Sequence, residues 1–126
     1  MTDSLVRTPG QSPLLPGTVS AGGFTFTSGL VSPSALAAIE SGVDSVPAEV
    51  QIRETVTLLR TSLAEAGTTL DRVVRVESYL SSADLIGTWN EVFLEVWPEP
   101  GPARITLVAG FISPVLHFEL QAVAFA

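Results

Sequence analysis

The sequence predicts an α+β domain with two helices on one face of a small mixed sheet, in the order β-β-α-β-α-β-β. Two observations predict it. Over two separate stretches apolar residues recur at three- and four-residue steps, the period of a helix. Elsewhere they alternate with polar ones inside runs rich in Val, Ile, Phe and Thr, the period of a strand. A length of 126 residues suits one domain with one core.

Residues 1–17 hold Pro9, Gly10, Pro13, Pro16 and Gly17. They are expected to form an irregular lead-in, with a single domain over 18–126. Thr18-Val19-Ser20 and Phe24-Thr25-Phe26-Thr27-Ser28 are strand candidates. Ala21-Gly22-Gly23 joins them as a hairpin, because glycine takes positive φ without penalty. Phe24 and Phe26 alternate with Thr25 and Thr27, so one face is apolar, and Gly29 ends the strand. Residues 30–45, with Pro33, Gly42 and several serines, read as a loop.

Ser45 suits an N-cap, with Pro47 in the first turn and Glu49 at the positive end of the helix dipole. Ile52, Val56, Leu59, Leu63 and Ala66 then share one helical face, and Gly67 stops the helix. Arg72 to Leu80 is β-rich, with Val74, Val76, Ser78 and Leu80 on one side. Ser82 or Asp84 caps a second helix with Leu85, Ile86, Trp89, Val92, Phe93 and Val96 on its apolar face. Pro98 and Pro100 end it. Two strands close the chain, roughly Ala103–Ala109 and Val115–Phe125, with a turn near Ser113-Pro114.

Composition narrows the function. Hydrophobic residues make up 46% and charged ones 15%. Such a chain has little polar surface, and burial against another copy of itself is the simplest remedy. A net charge of −7 argues against nucleic acid and anionic membranes, because both demand a basic patch. No cysteine and a single histidine remove thiolate and multi-histidine metal sites. No glycine-rich phosphate loop is present, and nothing points to a cofactor or metal. Met1-Thr2-Asp3-Ser4 lacks the order of a signal peptide, so a cytoplasmic location is expected.

The six basic residues are all arginines, and one stands out: Arg104, set among apolar neighbours in Gly101-Pro102-Ala103-Arg104-Ile105-Thr106. A cation there either pairs with an internal carboxylate or receives an anionic ligand. Arg104 and Thr106 share a strand face, and Glu119 lies on the polar side of the last strand. Paired in suitable register, the two strands would bring Arg104 and Glu119 into one pocket. Arginine's planar fork suits a substrate carboxylate, and Glu119 is a candidate for positioning or deprotonating water. Thr106 offers a hydroxyl and a backbone N–H to an anion; the alternative is a threonine chosen for β-propensity. Asn90 is a pocket hydrogen-bonder or a surface amide. His117 has no serine and acid partners in triad order.

Several segments, taken together, resemble the Rid family (YjgF/YER057c/UK114) of small reactive-intermediate deaminases. The likeness runs from about Val19 to Phe125. Ala21-Gly22-Gly23-Phe24-Thr25-Phe26-Thr27-Ser28-Gly29 resembles the family's opening hairpin. Glu65-Ala66-Gly67 followed by Leu70-Asp71-Arg72-Val73-Val74-Arg75-Val76 resembles its first helix end and next strand. Trp89-Asn90-Glu91-Val92-Phe93 resembles its second helix, and Pro102-Ala103-Arg104 its P-A-R signature. Phe118-Glu119-Leu120-Gln121-Ala122-Val123-Ala124 resembles its last strand.

The resemblance implies a chorismate-mutase-like fold and a homotrimer with three clefts between subunits. It implies hydrolysis of small 2-imino or 2-enamino acids to 2-oxo acids and ammonia, without a cofactor. Arg104 would bind the substrate carboxylate and Glu119 would orient the attacking water. Thr106, the second catalytic candidate beside Glu119, stands where many members have a pocket-lining cysteine. Gly29 borders the pocket, and Asn90 matches a helix position near it. A tyrosine that active members often carry falls near Leu15. The rivals are a non-catalytic carboxylate-binding trimer and a pathway-specific enzyme acting on another intermediate in the same cleft. The family's ribonuclease label fits an acidic chain poorly.

Overall fold

In the computed structural model the described residues are 4–43 and 45–126, so Met1 to Asp3 of the lead-in and Asp44 of the expected loop lie outside them. The elements are β1 (Val6–Ser12), β2 (Leu15–Ala21), β3 (Phe24–Thr27), α1 (Pro33–Ser41), α2 (Ala48–Glu65), β4 (Val73–Leu80), α3 (Ile86–Val96), β5 (Ala103–Val108) and β6 (Phe118–Phe125). Six strands form one sheet in the order β1-β2-β3-β6-β4-β5. Only β4 and β5 run parallel. The α+β class with a mixed sheet is therefore what the chain forms, with one strand and one helix more than its periodicity announced.

The core lies between the helices and one sheet face. From α2, Ile52, Val56, Leu59 and Leu63 are buried against Val76, Leu80, Phe118, Leu120, Ala122 and Ala124 of β4 and β6. Trp89 and Phe93 of α3 extend the same cluster, with Trp89 tilted against Phe118 at 4.8 Å between ring centres. Gly67 ends α2 with φ +84°, and Thr68 N donates to Leu63 O while Gly67 N donates to Ala64 O, a Schellman closure. A second cluster joins Val31, Ala35 and Ala38 to Val115 and Leu116. The opposite face of the sheet exposes Phe24, Phe26, Ile105, Leu107 and Phe125. The apolar side of β3 is thus its outer side; Thr25 and Thr27 face inward, and Thr27 Oγ1 accepts from Ala122 N at 3.0 Å.

The structure corrects the expected boundaries. The described part of 1–17 is ordered strand rather than irregular lead-in. β1 is the sheet edge, where a proline's missing N–H breaks no ladder bond, and its pairing with β2 shifts register on both sides of Pro9. Thr8 Oγ1 bridges the irregularity by accepting from Thr18 N at 2.9 Å. The loop expected over 30–45 contains α1. Ser32 caps it by accepting from Ala35 N at 3.1 Å, Pro33 opens it, and Gly42 at φ +80° closes it. Ser45 is not the cap of α2. Val46 precedes a proline, which biases it to extended backbone, and the helix starts only after Pro47. Ser82 rather than Asp84 caps the turn leading into α3, accepting from Asp84 N at 3.1 Å. The last strand begins at Phe118; Val115 and Leu116 belong to the second cluster.

One tertiary contact fixes α1. The Glu54 carboxylate on α2 accepts from Ser34 N at 3.0 Å and from Ser32 Oγ at 2.8 Å, covering the N-terminal turn. The Ser34 hydroxyl and these other donors hold Glu54 below the usual carboxylate range. Glu54→Gln is expected to lower stability in urea denaturation by about 1 kcal/mol at neutral pH. A depressed folded pKa contributes above the unfolded value and is lost as pH falls through the folded one. The gap between wild type and Glu54→Gln should therefore close on acidification.

Candidate functional site

Arg104 lies near the start of β5, on the sheet's edge strand, facing the helices. Register pairs it with Val76 of β4, so its side chain shares that buried face, beneath α3. Its Nη2 donates to Asn90 Oδ1 at 2.7 Å and its Nε donates to Thr106 Oγ1 at 2.9 Å. The guanidinium carbon stands 4.7 Å from the Phe93 ring centre and 5.4 Å from that of Trp89. Burial pushes the guanidinium down from its usual value, and it stays a cation near neutral pH. Among the described residues no carboxylate pairs with it. Among the described residues the internal salt bridge, one of the two explanations for a cation at this point, is not formed.

The threonine has a definite task. Ser78 Oγ donates to Ile105 O at 3.0 Å and accepts from Trp89 Nε1 at 3.0 Å. The Thr106 hydroxyl, 3.0 Å away, then donates to Ser78 Oγ, leaving its lone pairs toward Arg104 Nε. Among the described residues no buried side-chain polar atom lacks a hydrogen-bond partner, and the guanidinium keeps N–H groups beyond the two used here. Thr106 positions Arg104 through its side chain.

Glu119 is elsewhere. β4 separates β5 from β6, and Glu119 pairs with Tyr79, three residues along β4 from the Arg104 row. An odd offset puts the two side chains on opposite faces of the sheet, two strand spacings or roughly 10 Å apart in the pairing direction. Arg104 and Glu119 therefore do not meet in one pocket of one chain. Glu119 instead packs over Gly29. A Cβ on that glycine would overlap Glu119 Oε2 and stand 3.2 Å from Cδ. Only glycine leaves this carboxylate where it is. Burial alone raises Glu119 above the usual carboxylate range.

Gly29, Glu119 and Leu15 line a cavity of about 560 Å³ between the β1–β2 hairpin, α1 and the segment after β5. The six expected site residues thus form two groups: Arg104, Thr106 and Asn90 under α3, and Glu119, Gly29 and Leu15 on the far side. Sequence reasoning missed Ser78, Trp89 and Phe93 as supports of Arg104. Their periodicity marked them as core, and only the β4–β5 pairing makes them neighbours of the cation. His117 is paired within the chain: its Nδ1 lies 2.8 Å from Ser81 Oγ.

Comparison with known proteins agrees with this architecture. Residues 5–126 match the family described as endoribonuclease L-PSP. The mitochondrial protein mmf2 of Schizosaccharomyces pombe is 38% identical over 96 residues, which cover 75% of this chain and 71% of that protein. A YjgF-family protein from Streptococcus pyogenes M1 GAS superposes with a TM-score of 0.80 at 22% identity, covering 97% of this chain and 96% of that one. Rv2704 of Mycobacterium tuberculosis, a YjgF/YER057c/UK114 protein, superposes with a TM-score of 0.80 at 19% identity, covering 99% and 100%. The chain belongs to the endoribonuclease L-PSP family, the same YjgF/YER057c/UK114 group that its sequence resembles.

Proposed function

We propose that the chain is a cofactor-independent hydrolytic deaminase of 2-imino acids, and of the 2-enamino acids that tautomerise to them. It works as a homotrimer whose clefts join two copies. Arg104, Asn90 and Thr106 of one copy bind the substrate carboxylate. Glu119, Gly29 and Leu15 of the next face the reacting carbon. The observation that carries this reading is the Arg104 guanidinium: half-buried, clamped by two side chains, stacked on two aromatic rings and left without a carboxylate partner among the described residues. A cation so held is ready for an external anion.

The chemistry asked of the protein is small. The imine carbon is already electrophilic, and the guanidinium fixes its carboxylate. Glu119 takes a proton from water as the oxygen bonds to carbon and the C=N π pair moves to nitrogen. That proton passes to the nitrogen and gives a carbinolamine; its hydroxyl proton is then moved by the same carboxylate to the amine as the C=O forms and the C–N bond breaks, so ammonia and the 2-oxo acid leave. A carboxylate raised by burial is a better base for this step than an ordinary one. The exposed phenylalanines and leucine of the outer sheet face supply the apolar surface that self-association would cover. The cytoplasm remains the proposed location, although mmf2 is named as mitochondrial.

A non-catalytic carboxylate-binding trimer is the second reading. One feature favours it: the Arg104 clamp is complete within a single chain, so binding does not depend on Glu119. Ribonuclease activity has less support. The net charge is −7, and Arg53 and Arg75 are already engaged by Glu49, Glu95 and Glu77.

Four measurements test the proposal. With 2-imino acids generated by an amino-acid oxidase, the protein should accelerate 2-oxo acid release, and Arg104→Ala should cut kcat/KM by about 100-fold or more. Equal acceleration by that variant sinks the deaminase reading; binding of 2-oxo acids without acceleration leaves the binding trimer. Glu119→Gln should lower kcat by about 100-fold with KM little changed. In the wild type, activity should fall on acidification at a pH above the ordinary carboxylate range, because the raised group protonates early. By light scattering the particle should have roughly three times the 13.2 kDa chain mass, and a stable monomer would contradict the composite cleft.

A further inference from the structure

The cavity beside Glu119 differs in character from the Arg104 clamp. It measures about 560 Å³ and is formed by one chain, so its walls do not depend on how a second copy is placed. Those walls are Leu15, Val31, Leu36, Phe111, Ile112 and Leu116. Ile112 is fully solvent-exposed and Leu15 is 48% exposed, both without a covering group in the chain. The polar side chains along it are largely committed within the chain. Gln11 donates to Val31 O at 2.7 Å and accepts from Val31 N at 3.3 Å. Ser12 Oγ accepts from Leu14 N at 3.0 Å. Among the described residues, two carboxylates, Glu119 and the exposed Glu40, are the only charged groups lining it.

We propose that this cavity receives the substrate's side chain and selects 2-imino acids with large, uncharged, apolar side chains, such as those derived from leucine and phenylalanine. The inference rests on the deaminase reading and deepens it. An alanine-derived imino acid reaches little of the apolar wall and leaves it to water. Each further methylene buried there is worth about fourfold in binding. An acidic side chain meets two carboxylates and no cation. A volume of about 560 Å³ is within the range of pockets that enclose ligands much larger than pyruvate.

The test uses the intact protein with imino acids generated by oxidases from alanine, leucine, phenylalanine and glutamate, and compares kcat/KM. The leucine and phenylalanine compounds should exceed the alanine compound by at least about tenfold, with the glutamate compound slowest. Ile112→Asp, at a fully exposed position that folding does not need, should pull the leucine-to-alanine ratio toward one. Turnover with a flat series, or one led by the alanine or glutamate compound, overturns this inference while the deaminase reading stands. No turnover of any compound overturns the deaminase reading instead. The cavity is then judged by thermal shift: 4-methyl-2-oxopentanoate should protect the protein at concentrations at least about tenfold below pyruvate. Equal protection by the two acids overturns the selection outright.

Discussion

The insertion of β4 between β5 and β6 is the constraint on which the rest of the molecule depends. β4 and β5 are parallel, so the chain must cross back over the sheet between them, and α3 is that crossing. The crossing lays Trp89, Asn90 and Phe93 over the start of β5. Trp89 is fully buried, and its indole N–H has to find an acceptor there. Ser78 provides it, Thr106 joins Ser78, and Arg104 joins Thr106. The cation is held by the means that satisfy a buried tryptophan.

The same insertion sends β6 into an antiparallel ladder on the other side of β4, and its alternation turns Glu119 outward. Glu119, the one carboxylate of β6, then cannot reach Arg104 on the helical face. A buried amide steadies this arrangement. Gln51 of α2 donates to Val46 O and Val115 O and accepts from His117 N, tying the approach to β6 to the helix. Leu116, next to these contacts, forms part of the cavity wall. The floor of the cavity and the position of β6 thus share one support.

Much of this was legible in the chain. The α2 stripe of Ile52, Val56, Leu59 and Leu63 is a local pattern, and Gly67 marks its end. Arg104 was conspicuous because an apolar, acidic sequence gives few reasons for a lone cation. The missed elements depend on distant partners. α1 is a short helix whose first turn is covered by Glu54, some twenty residues on. β1 carries Pro9 and Gly10, which signal a loop until its edge position is known. The faces of Arg104 and Glu119 were correct strand by strand. Their relation was not, because it turns on which strand lies between them, and alternation within a strand carries no information about neighbours.

The two half-sites on opposite faces have a kinetic consequence. A single copy cannot bring one small molecule to both Arg104 and Glu119, so under the composite-cleft proposal the working unit is a contact between copies. Specific activity then becomes a property of protein concentration. Dilution below the dissociation constant would silence the chemistry without unfolding any chain, and mixed assemblies would regain it wherever an intact Arg104 half met an intact Glu119 half.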